Sequence, residues 1–119
     1  MQRTAPLYVI YVAANHSPCS TVRDLRNVID SFMPVEIHGR GYDTGGFVLL
    51  KSFDLQRVWA LWHYLKQNGF NIGVEKGPTI EAQGGRRLAP FPHPGQDEAL
   101  LKEQNRTWAC ILIEKTVGL

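Results

Sequence analysis

Charge of one sign is in short supply. The chain of 119 residues carries 13 Lys and Arg against 11 Asp and Glu, a formal net charge of +2. A dedicated duplex binder carries a larger basic excess, so any phosphate contact has to come from local clustering. Cysteine is equally scarce. Cys19 and Cys110 are far apart and form no CxxC pair, so two reduced thiols are expected rather than a disulfide framework. Long hydrophobic runs are missing too. The apolar stretch 7–14 is far shorter than the ~20 residues a helical span needs, and no basic leader of the secretory kind precedes it. These features point to a reducing cytoplasm and away from a membrane partner.

The spacings that carry chemistry are also thin. His16 and Cys19 stand three apart, but no second ligand pair lies near them, and no metal or cofactor is implied. Asp43-Thr44-Gly45 is the triplet of aspartic proteases, which need an apolar lead-in and two such aspartates sharing a proton. Here Gly39-Arg40-Gly41-Tyr42 precedes it, so a hairpin turn is the expected role. The glycines of 39–46 are no phosphate loop, because a strand and not a helix is predicted to follow them. His38 has no carboxylate or nucleophile set beside it by sequence, so general-base work has little support. The expectation is a protein that is not an enzyme.

What is present is an ordinary globular balance, 44% hydrophobic and 20% charged, in a length that suits one domain. Leu7-Tyr8-Val9-Ile10-Tyr11-Val12 is a β-branched and aromatic run that predicts a buried strand. Val22, Leu25, Val28, Ile29 and Phe32 form one stripe of a helix over 20–33, with Thr21 and Asp24 at capping-box spacing and Pro34 as the stop. Alternation predicts a strand over 35–40, a Gly-rich turn over 41–46 and a strand over 46–51. A second helix is expected over 54–68, with Val58, Leu61, Trp62 and Leu65 inward and Gly69 as its stop. Trp59, one turn before His63, is expected to be half-buried. A fourth strand follows over 70–75.

The order strand, helix, strand, strand, helix, strand over residues 7–76 is that of an α+β, ferredoxin-like domain with both helices on one face of an antiparallel sheet. Residues 77–95 then read as an irregular Gly/Pro-rich connection. Residues 96–119 read as a short helix over 97–104 and a fifth strand over 108–113.

Alternation also predicts the two faces. Leu7, Val9 and Tyr11 are expected under the helices, with Tyr8, Ile10 and Val12 outward. Glu36, His38 and Arg40 join them on the second strand, Phe47, Leu49 and Lys51 on the third, and Asn71, Gly73 and Glu75 on the fourth. Rings with neighbouring cations suit single-stranded nucleic acid. Arg86 and Arg87, expected in the flexible connection, would add phosphate contacts.

The pattern resembles the RNA recognition motif family over residues 7–76. Tyr8 stands at the stacking position of the first-strand motif. In 43–50, Phe47 fits the later stacking position, while Gly45 replaces an aromatic and Asp43 the basic start. The resemblance implies single-stranded RNA binding through Tyr8 and Phe47, with Arg40, Lys51, Arg86 and Arg87 at the backbone. The alternative is a protein-binding adaptor or inhibitor. In size and composition the chain is similar to phage-encoded inhibitors of the anti-CRISPR type, which implies a host protein or ribonucleoprotein partner. Homodimerisation through the fifth strand is compatible with both readings.

Overall fold

Residues 3–14, 17–70, 85–89 and 110–119 are described by a computed structural model of the chain. The elements are β1 (Thr4–Ala13), α1 (Val22–Asp30), β2 (Ile37–His38), β3 (Phe47–Ser52), α2 (Leu55–Gln67), β4 (Gly85–Ala89) and β5 (Cys110–Gly118), with a 3₁₀ turn at Tyr42–Thr44 between β2 and β3. The strands form one open sheet in the order β2-β3-β1-β5-β4, and every neighbouring pair is antiparallel. The α+β class is thus observed: two helices and a five-stranded antiparallel sheet. The expected residues 71–75 of a fourth strand, the helix over 97–104, Trp108 and His16 lie outside the described residues.

The two longest strands, β1 and β5, sit inside the sheet because both are apolar on both faces. Ile10, Val12, Cys110 and Leu112 join Leu25 and Ile29 of α1 and Val58, Leu61 and Leu65 of α2 in one buried cluster. Val9, Tyr11, Ala13, Ile111 and Ile113 form a second, on the face turned away from the helices. An interior strand has no free edge, and β5 is paired on both sides over Leu112–Lys115. A second copy therefore has no place to add against that stretch of the fifth strand.

α1 starts where its N–H groups find acceptors. The Thr21 hydroxyl accepts from the Asp24 N–H at 3.2 Å, the first half of the expected capping box. The Asp43 carboxylate, 21 residues on, accepts from the Val22 N–H at 2.6 Å. Asp43 is therefore more than a turn residue: its negative charge sits at the positive end of the helix. The turn that carries it is anchored by Tyr42, whose buried hydroxyl donates to the Cys19 carbonyl at 2.7 Å and lies 2.7 Å from the Ser17 hydroxyl. Gly45 leaves this turn at φ +86, a conformation that favours glycine. At Gly46 an added Cβ would stand 2.7 Å from the Gly41 carbonyl oxygen.

α2 follows the sequence pattern closely. The Asp54 side chain accepts from the N–H groups of Gln56 and Arg57, and Val58, Leu61, Trp62 and Leu65 are buried. Trp59 is half-buried, edge-on to Trp62 at 5.8 Å and stacked on His63 at 5.6 Å.

Three expectations are corrected. β2 is a two-residue strand, not six, because Gly39 turns the chain at φ +105. A strand, β4, occupies part of the supposed irregular connection; Gly85-Arg86-Arg87-Leu88-Ala89 has little apolar alternation, and its pairing with β5 is what makes it a strand. The third correction concerns the phase of β1. Tyr8, Ile10 and Val12 face the helices, and Val9 and Tyr11 face away. A strand apolar at every position carries no phase of its own. Register decides it: Val12 pairs with Val48 and Ile10 with Leu50, and paired residues share a face.

Candidate interaction surface

The face away from the helices is laid out in rows by strand register. One row runs His38, Leu49, Tyr11, Ile111 across β2, β3, β1 and β5. The next runs Lys51, Val9, Ile113 across β3, β1 and β5. Phe47 pairs with Ala13 at one end of the face, and Leu7 with Lys115 towards the other. The middle of this face is buried: Ile111 and Ile113 have 0% of their surface exposed, Val9 1% and Tyr11 2%. It is therefore no bare platform.

Exposure is concentrated at the rim on the β3 side. Phe47 is 41% exposed and its ring lies 5.4 Å from that of Tyr11, tilted by 47°. Tyr11 is thus the floor on which Phe47 rests, and burial pushes its hydroxyl pKa up. His38 is partly exposed, with its Nε2 3.9 Å from the Glu36 carboxylate. Arg40 and Lys51 are exposed. An aromatic ring on a rigid support, with Lys51 and His38 further along the same face, can bury apolar area at one end and meet negative charge at the other.

The predicted site residues divide between the two faces. His38, Phe47 and Lys51 lie on the face away from the helices. Arg40 follows β2 just beyond its last residue. Arg87 pairs with Ile113 in the backbone ladder of β4 and β5. Tyr8 does not join them: it is 8% exposed and packs in the helix-side cluster. Arg86 pairs with Glu114, itself opposite Tyr8, and its guanidinium lies 3.6 Å from that carboxylate. It therefore belongs to an edge strand on the Tyr8 side rather than to a loose loop. Tyr11 was the residue missed, since its partnership with Phe47 is diagonal across two strands and becomes visible only once the register is known.

A second concave feature lies between the chain entering β2, the end of β3 and the first turns of α2. It is a cleft of about 210 Å³ whose walls include Leu50, Val58, Leu61, Glu36, Lys51 and Arg57. Arg57 donates to the Pro34 carbonyl across it.

Among the described residues no group of three or more His, Cys, Asp or Glu is placed to hold a metal ion, and no helix is long and apolar enough to cross a membrane. Cys19 is buried in the helix-side cluster rather than offered as a ligand beside His16. No protein-family model, curated protein or solved structure matches the chain.

Proposed function

We propose that the chain is a non-catalytic protein-binding module, of the adaptor or inhibitor kind, which engages its partner through the rim around Phe47. The observation that supports this is the split of the two rings expected to stack bases. Tyr8 lies under the helices, while Phe47 is partly exposed with its ring against Tyr11 on the other face. Sequence-tolerant binding of a single strand draws on successive stacked bases. An exposed ring on the same face as His38 and Lys51, with the exposed Arg40 just beyond β2, better suits an interface anchor that meets an acidic protein surface. A host protein or ribonucleoprotein complex remains the partner class, and the likeness to the RNA recognition motif then rests on Phe47 alone.

The test is capture from a bacterial lysate after nuclease digestion, with Phe47→Ala and Arg40→Ala as paired variants. A specific protein held by the parent chain and lost at least about tenfold in either variant supports the reading. Binding of a labelled single-stranded oligonucleotide with a steep salt slope, and no protein that depends on Phe47, would return the function to nucleic acid.

A ferredoxin-like arrangement is part of the same proposal. The chain order β1-α1-β2-β3-α2 followed by β5, with β5 beside β1 in the sheet, supports it. In this reading residues 110–118 supply the strand of the unit that lies beside β1.

A further inference from the structure

α2 ends on Asn68-Gly69, and Asn68 is the only asparagine in the chain followed by glycine. The pair is built as a helix stop. Gly69 takes φ +91, its N–H donates to the Lys66 carbonyl at 3.2 Å, and the Phe70 N–H donates to the Leu65 carbonyl at 3.1 Å. Phe70 then enters the helix-side cluster, 2% exposed. Asn68 adds a bond of its own: its Nδ2 donates to the Tyr64 carbonyl at 2.7 Å.

The same pair carries a reaction. The Asn68 carboxamide carbon and the Gly69 nitrogen stand one bond short of a five-membered ring. Glycine puts no side chain over its nitrogen, and an added Cβ at Gly69 would meet no atom within 4 Å. Both residues are exposed, so water reaches them. Closure joins the Gly69 nitrogen to Asn68 Cγ and breaks the Cγ–Nδ2 bond. The proton of the Gly69 N–H passes through solvent to the departing nitrogen, which leaves as ammonia. Water then opens the cyclic imide at either carbonyl and leaves aspartate or isoaspartate. Water is consumed, ammonia is released, and nothing is oxidised or reduced. The fold supplies a brake, because the bonds from Asn68 Nδ2 to Tyr64 and from the Gly69 N–H to Lys66 must open first. Both belong to the last turn, where helices fray, so they slow the closure without preventing it.

We propose that Asn68-Gly69 is a self-modifying site, which converts spontaneously to aspartate and isoaspartate and so releases the end of α2. A carboxylate cannot donate to the Tyr64 carbonyl, and its charge opposes the negative end of the helix dipole. Isoaspartate also inserts a methylene carbon into the main chain, which spoils the spacing of the Phe70–Leu65 bond. Tyr64 links this end to α1: its ring stacks on Phe32 at 4.4 Å and its hydroxyl lies 2.8 Å from that of Ser31. The site is independent of the Phe47 rim, and its test needs no partner.

The full chain is held folded at mildly alkaline pH, and its tryptic peptide 67–76 is followed by mass spectrometry. The expected result is conversion of amide to acid at Asn68, with isoaspartate among the products, which direct hydrolysis of the side chain cannot give. In urea the rate should rise by about thirtyfold, the factor for releasing two ordinary hydrogen bonds. Asn68→Gln, whose larger ring closes far more slowly, should show no conversion at that position. Asn68→Asp, the product mimic, should exchange the amide hydrogens of Gly69 and Phe70 about tenfold faster than the parent chain. A folded rate more than about a hundredfold below the unfolded one overturns the site, since the last turn then shuts it. Aspartate without isoaspartate overturns the cyclic route. Unchanged exchange in Asn68→Asp overturns the release of α2.

Discussion

Replacing Tyr8 and Phe47 separately by alanine tests the inverted phase of β1, because the two substitutions remove similar rings from opposite faces. Tyr8 is 8% exposed in the helix-side cluster. Truncating a buried aromatic costs about 3–5 kcal/mol, since the lost transfer energy adds to an incompletely collapsed cavity. The hydroxyl and the place of Tyr8 towards the end of the β1–β3 ladder argue for the low end, about 3 kcal/mol. Phe47 is 41% exposed, so only part of its area is lost along with one tilted ring contact to Tyr11. That sums to about 1–1.5 kcal/mol. The gap of about 2 kcal/mol corresponds, at a urea slope near 1.5 kcal/mol/M, to about 1 M between the two midpoints. Urea unfolding followed by tryptophan fluorescence measures it. Equal midpoints, or a lower one for Phe47→Ala, would mean that Tyr8 does not lie under the helices.

Four further outcomes are expected. Asp43→Ala should destabilise the chain by about 1 kcal/mol through loss of its bond to the Val22 N–H, with faster hydrogen exchange confined to the first turn of α1. Gly46→Ala should cost more than a typical surface substitution, because its Cβ would meet the Gly41 carbonyl oxygen at 2.7 Å; thermal melting reads this directly. Burial pushes the thiols of Cys110 and Cys19 up, so a thiol reagent at pH 8 should label neither until the chain is unfolded. The same shifts set the alkaline limb of stability. Above about pH 9 the unfolded thiols lose protons that the folded ones keep, so stability falls as pH rises, and the raised Tyr11 and Tyr42 extend the fall above about pH 10. A flat melting temperature from pH 8 to pH 10.5 would contradict this.

Local signals were legible where one side chain settles one question. Thr21 caps the helix that its spacing from Asp24 announces, and Val58, Leu61, Trp62 and Leu65 line the buried stripe of α2. Phe47, Leu49 and Lys51 fell on the expected face because β3 alternates polar and apolar positions at its end. β1 offered no such contrast. Each of its residues from Tyr8 to Ala13 is buried, so hydrophobicity says that the strand is central but not which way it faces.

The sequence by itself therefore determined the α+β class, the two helices, the Thr21 cap of the first and the burial of the first strand. These depend on periodicity and on contacts a few residues apart. Only the tertiary structure decided the rest. Pairing with β3 turned Tyr8 under the helices and brought Tyr11 beneath Phe47. Pairing with β5 made a strand of Gly85–Ala89 and placed Arg86 beside Glu114. Docking of the 3₁₀ turn on α1 made Asp43 a helix cap. Each of these depends on the register between segments distant in the chain, and a two-residue repeat cannot encode a register when both of its phases are apolar.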